Sequence, residues 1–155
     1  PPRRGAAVFL PGGYPELHAG QLAANTRFID GMRQAANGGH PIYGECGGYM
    51  ALGAGLIDTR GERHSMCGLL PHVTSFAEPR LHLGYQDAEL LSDTALGKPG
   101  SRFRGHEFHY ASVIEEGDED PLFRCTDSTG EATGLIGRSI ANVSGSFIHL
   151  IDRHT

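Results

Sequence analysis

The stretch that most constrains this chain is Pro41-Ile42-Tyr43-Gly44-Glu45-Cys46-Gly47-Gly48-Tyr49-Met50. A short apolar run stops at a thiol bracketed by glycines, and a helical pattern from Gly47 to Leu56 follows at once. The form G-x-C-x-G between a strand and a helix predicts a tight turn that holds the Cys46 side chain out in strained backbone geometry. The neighbours must then be small, which accounts for the glycines. The helix would aim its N-terminus at the sulfur and favour the thiolate. The N–H of Gly47 would face a developing oxyanion. A buried structural cysteine beside a Gly-rich turn is the competing reading of the same letters.

The surrounding pattern sets the fold class. Ala6 to Leu10 is a short apolar run ending at Pro11-Gly12-Gly13, a buried strand and a sharp turn. Glu16 to Asn37 is helical, with Leu17, Leu22, Phe28, Ile29, Met32 and Ala36 facing inward. Asn25-Thr26 breaks it into two helices, and Gly38-Gly39 ends the second. Pro41 to Glu45 is the next strand. Strand, helix, strand, helix implies parallel pairing and an α/β sheet. Leu81 to Leu91, Phe108 to Ile114, Leu122 to Asp127 and Ile140 to Val143 read as further strands. Asp58 to Thr74 reads as an irregular connection with a turn at Arg60-Gly61-Glu62, and Glu115 to Asp120 as a solvated acidic loop. The expectation is an α/β domain with a mixed, mostly parallel sheet flanked by helices.

Size and charge exclude some classes. The 155 residues, 39% hydrophobic and 20% charged, suffice for one domain with a core. The net charge of −5 argues against a general nucleic-acid binder. No apolar run approaches the length of a membrane span. Three widely spaced cysteines, Cys46, Cys67 and Cys125, fit a reduced, cytoplasmic protein better than a disulfide scaffold. The opening "PPRRGAAVFLPGG" lacks a Met and runs straight into a strand, so the chain reads as N-terminally incomplete.

A nucleophilic thiol needs a base. Of nine histidines, His149 in the apolar run "GSFIHL" is best placed to be fixed by packing beside Cys46; His106 and His109 in "RGHEFHY" compete with it. A metal-binding module is a separate reading, with His64, Cys67 and His72, or His106 and His109, as ligands, although H-x2-C-x4-H is a weak zinc spacing.

In order along the chain, "LPGGYPELHA", "PIYGECGGYM", "LGY", "RGHEFHYAS" and "GSFIHL" resemble the glutaminase domain of the cobyrinic acid a,c-diamide synthases, which are class I, triad-type glutamine amidotransferases. The resemblance spans about Val8 to Leu150, and "RGHEFHY" is its most specific part. It implies a flavodoxin-like three-layer fold. It also implies hydrolysis of glutamine through a Cys thioester, with the ammonia amidating the a and c carboxylates of cobyrinic acid. Hydrogenobyrinic acid, nickel-sirohydrochlorin and a catalytically silent scaffold are its alternatives. Residue by residue, Cys46 matches the nucleophile, His149 the general base and acid, and Gly13 and Gly47 the oxyanion donors. Tyr14, Pro15 and Glu16 continue the turn that frames the glutamine pocket. His106, Glu107 and His109 are candidates for the substrate or ammonia path.

The resemblance further implies an N-terminal synthetase domain using ATP and Mg2+, a tetrapyrrole substrate, and compatibility with a homodimer. No metal is expected in residues 1–155 themselves. Two departures stand out. His149-Leu150-Ile151 lacks the H-x-E glutamate that orients the ring in many relatives, so orientation falls to a backbone carbonyl, water or another side chain. No G-x-x-x-x-G-K-[ST] loop is present, and the single lysine, Lys98, stands in "GKPG", the wrong context for phosphate.

Overall fold

The computed structural model describes residues 5–154, and the side chain of His154 is left aside. Strand β1 (Val8–Leu10) leads through a 3-10 turn (Pro15–His18) and helix α1 (Ala19–Ala24) into helix α2 (Thr26–Asn37). The break falls where the sequence puts it. The Asn25 side chain accepts from the Phe28 N–H at 3.0 Å and caps α2, a bond typically worth about 1 kcal/mol. Gly39, at φ 75°, follows the helix end. Ile29, Met32 and Ala35 bury one face of α2, whereas Leu17, expected inward, is 70% exposed on the 3-10 turn.

Strand β2 (Ile42–Glu45) pairs in parallel with β1, as a strand-helix-strand crossover demands. Helix α3 (Gly47–Leu52) is shorter than expected, because the chain turns at Gly53 into β3 (Gly55–Ile57). The segment expected to be irregular makes a hairpin instead, with β4 (Arg63–Ser65) antiparallel to β3. Its turn centres on Gly61 at φ 82°. Strand β5 (Val73–Ser75) pairs in parallel with β3.

The rest is almost all strand: β6 (His82–Leu90), β7 (Arg102–His109), β8 (Ser112–Glu115), β9 (Pro121–Thr126), β10 (Ala132–Ile140), β11 (Val143–Ser146) and β12 (Ile148–His154). One sheet runs β1-β2-β11-β10-β9-β6-β7-β12 and a smaller one runs β4-β3-β5-β8. The fold is α/β with a mixed sheet, as expected. Its parallel part is smaller than expected: parallel pairing in the large sheet is confined to β1–β2 and β2–β11. From β11 to β12 every neighbour is antiparallel.

Two expected strands are redrawn. Phe108 to Ile114 is cut at Tyr110-Ala111, where the chain leaves the large sheet for the small one. Ile140 to Val143 is a hairpin turn with Ala141 at φ 51°. Asn142 ties that turn down by donating to the carbonyls of Ala36 (3.1 Å) and His40 (2.6 Å). Two apolar clusters hold the layers together. One gathers Ile29, Met32, Leu52, Leu56 and Phe147, and the other Leu90, Phe103, Leu122, Phe123 and Ile148. Each fully buried side chain of this kind contributes roughly 1.5–3 kcal/mol. No helix among the described residues is long and apolar enough to cross a membrane.

Candidate active site

Cys46 occupies the junction of β2 and α3 with φ 51° and ψ −108°. A left-handed φ is uncommon for a residue with a side chain and costs roughly 1–3 kcal/mol. The surroundings enforce it. The Cys46 N–H donates to the carbonyl of Ser146 on β11 at 2.8 Å, and its own carbonyl accepts from Met50 at 3.0 Å. The glycines have separate tasks. A Cβ on Gly44 would lie 2.6 Å from Leu52 Cδ1 and 2.8 Å from the Gly48 carbonyl oxygen. A Cβ on Gly48 would overlap the Leu10 carbonyl. On Gly47 it would fall 2.6 Å from the oxygen and 2.8 Å from the nitrogen of Gly13. The bare Cα of Gly47 therefore lets the Pro11-Gly12-Gly13 turn come down beside the cysteine.

His149 reaches the same place from β12. A Cβ on Gly12 would meet His149 Cε1 at 2.7 Å and Cys46 Cβ at 3.7 Å, so Cys46 and the His149 ring share that glycine as a neighbour. The carboxylate of Glu45, next to the cysteine, lies beside the ring. Its Oε1 lies 3.2 Å from His149 Nδ1, and its Oε2 accepts from the Leu150 N–H at 3.2 Å. A carboxylate oxygen accepts hydrogen bonds, so the contact favours the imidazole tautomer with its proton on Nδ1. The residue is present in the sequence as the x of G-x-C-x-G, but nothing local says that it turns towards β12. The β2–β11 pairing puts Ser146 opposite Glu45 three residues before His149, and only that register brings them together.

The thiol contradicts one expectation. Burial pushes the Cys46 pKa up; the Gly47 N–H lowers it, and the charges of Glu45 and Glu16 raise it again. Desolvation outweighs the end of a six-residue helix. The Cys46 thiol donates to the Phe108 carbonyl at 3.8 Å. Cys67 and Cys125 are further from reactivity, buried and pushed up to about 11 and about 12 by desolvation.

Cys46 and His149 line a cavity of about 310 Å3 together with Gly12, Gly13, Tyr14 and Glu16. That size lies near the lower end of small-molecule sites, roughly 300–1,000 Å3. Phe76, Phe108, His109 and Tyr110 supply its aromatic wall. Strand alternation separates His106 from Glu107 and His109, whose side chains approach to 3.6 Å (His109 Nε2 to Glu107 Oε1). His106 stands in register with Tyr85 and His149 and stacks on the His149 ring, with centroids 5.0 Å apart. Glu107 points to the opposite face, where Oε2 accepts from Gln86 Nε2 at 3.1 Å. His109 at the strand end is held by Ala111 (Nδ1 to carbonyl oxygen, 2.9 Å) and Phe147 (stacked, 3.8 Å).

The proposed metal ligands are not assembled. His64 pairs with Asp58 at 3.0 Å, while His72 is fully buried and bonded to the Tyr49 carbonyl at 3.0 Å. Among the described residues the one compact metal-type group is Asp58, Glu62 and His64. The Arg60 guanidinium sits 3.3 Å from both of its carboxylates.

Several known proteins are similar to this chain. A hydrogenobyrinate a,c-diamide synthase from Brucella anthropi is 52% identical over 152 residues, covering 97% of this chain and 34% of that protein. One from Rhizobium meliloti is 50% identical over 98% of this chain and 35% of its own length. The chain thus spans about a third of the curated relatives it matches. Among solved structures, a glutamine amidotransferase superposes with a TM-score of 0.63 at 20% identity, covering 92% of this chain and 69% of that one. PurLQS from Thermotoga maritima gives 0.59 at 18%, covering 92% and 68%. These two share the fold. The profile of the CobB/CobQ-like glutamine amidotransferase domain runs along residues 2–154, taking in the Cys46 elbow, the Gly12-Gly13 turn and His149, and the chain belongs to that family.

Proposed function

We propose that this chain is the glutaminase portion of a hydrogenobyrinate a,c-diamide synthase. In this reading Cys46 attacks the side-chain amide carbon of glutamine, and His149 Nε2 takes the thiol proton. The N–H groups of Gly13 and Gly47 receive the oxyanion. Collapse of the tetrahedral adduct breaks the C–N bond, and ammonia leaves with the proton returned by His149. Water, deprotonated by the same ring, hydrolyses the thioester to glutamate. Glu45 holds the ring in the tautomer that both half-reactions need. The observation that carries the reading is the strained Cys46 elbow sharing a cavity with a histidine whose Nδ1 is engaged by Glu45.

The names of the relatives favour hydrogenobyrinate over cobyrinate, the first expectation from sequence. The remaining two thirds of such a protein would hold the tetrapyrrole and an ATP-dependent synthetase. ATP and Mg2+ act there in this reading, because residues 1–155 offer no phosphate loop and Lys98 is engaged by Asp93 on the surface. The cysteines, all free and buried, fit a cytoplasmic setting. The test is a Cys46→Ser variant of the full-length protein. Glutamine-dependent amidation of hydrogenobyrinate should vanish while amidation with added ammonium salt persists. Persistence of the glutamine-dependent reaction would refute the assignment.

A further inference from the structure

The Cys46 cavity contains a carboxylate that neither nucleophile nor base uses. Glu16, on the 3-10 turn after Gly13, lines it with Tyr14, Cys46 and His149. Its Oε2 is closed off from solvent and has no hydrogen-bond partner. Leaving such an oxygen unpaired is unfavourable, and more so if it is charged. Burial pushes the Glu16 pKa up, only partly offset by its own backbone N–H. Its charge also opposes formation of the Cys46 thiolate. On both counts the site by itself is worse off for having it. A positively charged ligand group reverses both effects: it supplies the missing donor and screens the thiolate from the carboxylate.

The cavity wall favours that ligand. Among the described residues Glu16 is the only carboxylate lining it, and no Lys or Arg lines it. Glu45 is nearby but committed to His149 and Leu150. Resting on the glutaminase reading above, we infer that Glu16 is the specificity residue of the site and accepts the α-ammonium of glutamine, with the side-chain amide placed at Cys46 Sγ. Binding of the correct amino acid then offsets one of the charges that, with burial, disfavour the Cys46 thiolate, so recognition also assists activation.

The inference is tested in the full-length protein with Glu16→Gln and Glu16→Asp, using L-glutamine and 4-carbamoylbutanoate, which is glutamine without its amino group. One charge-assisted hydrogen bond is worth about 1.5–3 kcal/mol, or roughly 10- to 150-fold. Glu16→Gln should raise KM for glutamine by that factor with a smaller effect on kcat, and should not raise KM for 4-carbamoylbutanoate. Glu16→Asp should retain part of the discrimination. A structural role is separated by chemical labelling. Glu16→Gln should slow modification of Cys46 by 6-diazo-5-oxo-L-norleucine, which carries an α-ammonium, and not by iodoacetamide, which has none. In the wild type, KM should rise as pH falls through the raised Glu16 pKa, and this rise should be absent in Glu16→Gln. Equal losses with both substrates, or a loss confined to kcat, would overturn the role of Glu16 while leaving the glutaminase intact. If the wild type hydrolyses no glutamine, the functional reading falls and this inference with it.

Discussion

Replacing Glu45 by glutamine should harm the enzyme more than replacing it by alanine, although glutamine is the closer match in shape. Both oxygens of Glu45 face donors: Leu150 N–H at 3.2 Å and His149 Nδ1 at 3.2 Å. A glutamine has one oxygen and one NH2, so one donor must meet another donor. The backbone N–H cannot change its role, whereas the imidazole can move its proton. The amide oxygen will therefore settle on Leu150 and the NH2 will face Nδ1. That forces the proton to Nε2, the nitrogen needed to receive the proton of Cys46. The wrong tautomer in a comparable carboxylate–histidine pair costs about 10⁴ in kcat. Alanine removes the orienting bond without imposing a tautomer, a loss of about 1.5–3 kcal/mol, or roughly 10- to 150-fold. Steady-state glutaminase assays should show Glu45→Gln at about 10³–10⁴ below wild type in kcat with KM little changed, and Glu45→Ala one to two decades above it. Unchanged thermal midpoints would show that both variants are folded. A Glu45→Gln variant as active as wild type, or more active than Glu45→Ala, would refute the tautomer argument.

Two further outcomes follow from the geometry. Gly47→Ala drives a methyl into the backbone of Gly13; it should reduce kcat by about 10²–10³ by displacing an oxyanion donor. Gly13→Ala has open space at its Cβ, so it should keep the wild-type unfolding midpoint, and equal destabilisation of the two would contradict the packing. His72 is fully buried against Tyr49, and desolvation pulls its pKa down to about 4 from an ordinary value near 6.5. Between those values the unfolded chain binds a proton that the native one does not. The contribution is thus complete above pH 6.5 and lost as pH falls to 4, by about 3 kcal/mol. Urea unfolding of wild type and His72→Gln across that window should show a flatter pH slope in the variant, and identical slopes would remove His72 as the cause.

The N-terminal third was readable from sequence because its signals are local. A cap at Asn25, glycines at the helix end and a G-x-C-x-G elbow each act within a few residues. The C-terminal strands were read less well for equally physical reasons. The β10–β11 turn uses Ala141 at a left-handed φ, where a glycine would have announced it. The break at Tyr110-Ala111 lies inside a continuous β-type pattern, and only the change of sheet reveals it. Within the candidate site, Cys46 stood out by its own surroundings, whereas His149 competed with His106 and His109 until the resemblance was weighed. Glu45 did not stand out, because its role depends on the parallel register of β2 and β11. The thiolate expectation failed because a short helix end was weighed without the burial that opposes it.

The central claim is that Cys46 is the group that glutamine acylates. Incubation of the full-length protein with 6-diazo-5-oxo-L-norleucine, followed by intact mass and peptide mapping, tests it most directly. The account predicts one adduct per chain on the peptide containing Cys46, loss of glutaminase activity in step with labelling, and protection by L-glutamine. An unmodified Cys46, or an adduct on Cys67 or Cys125 that accompanies inactivation, would contradict it.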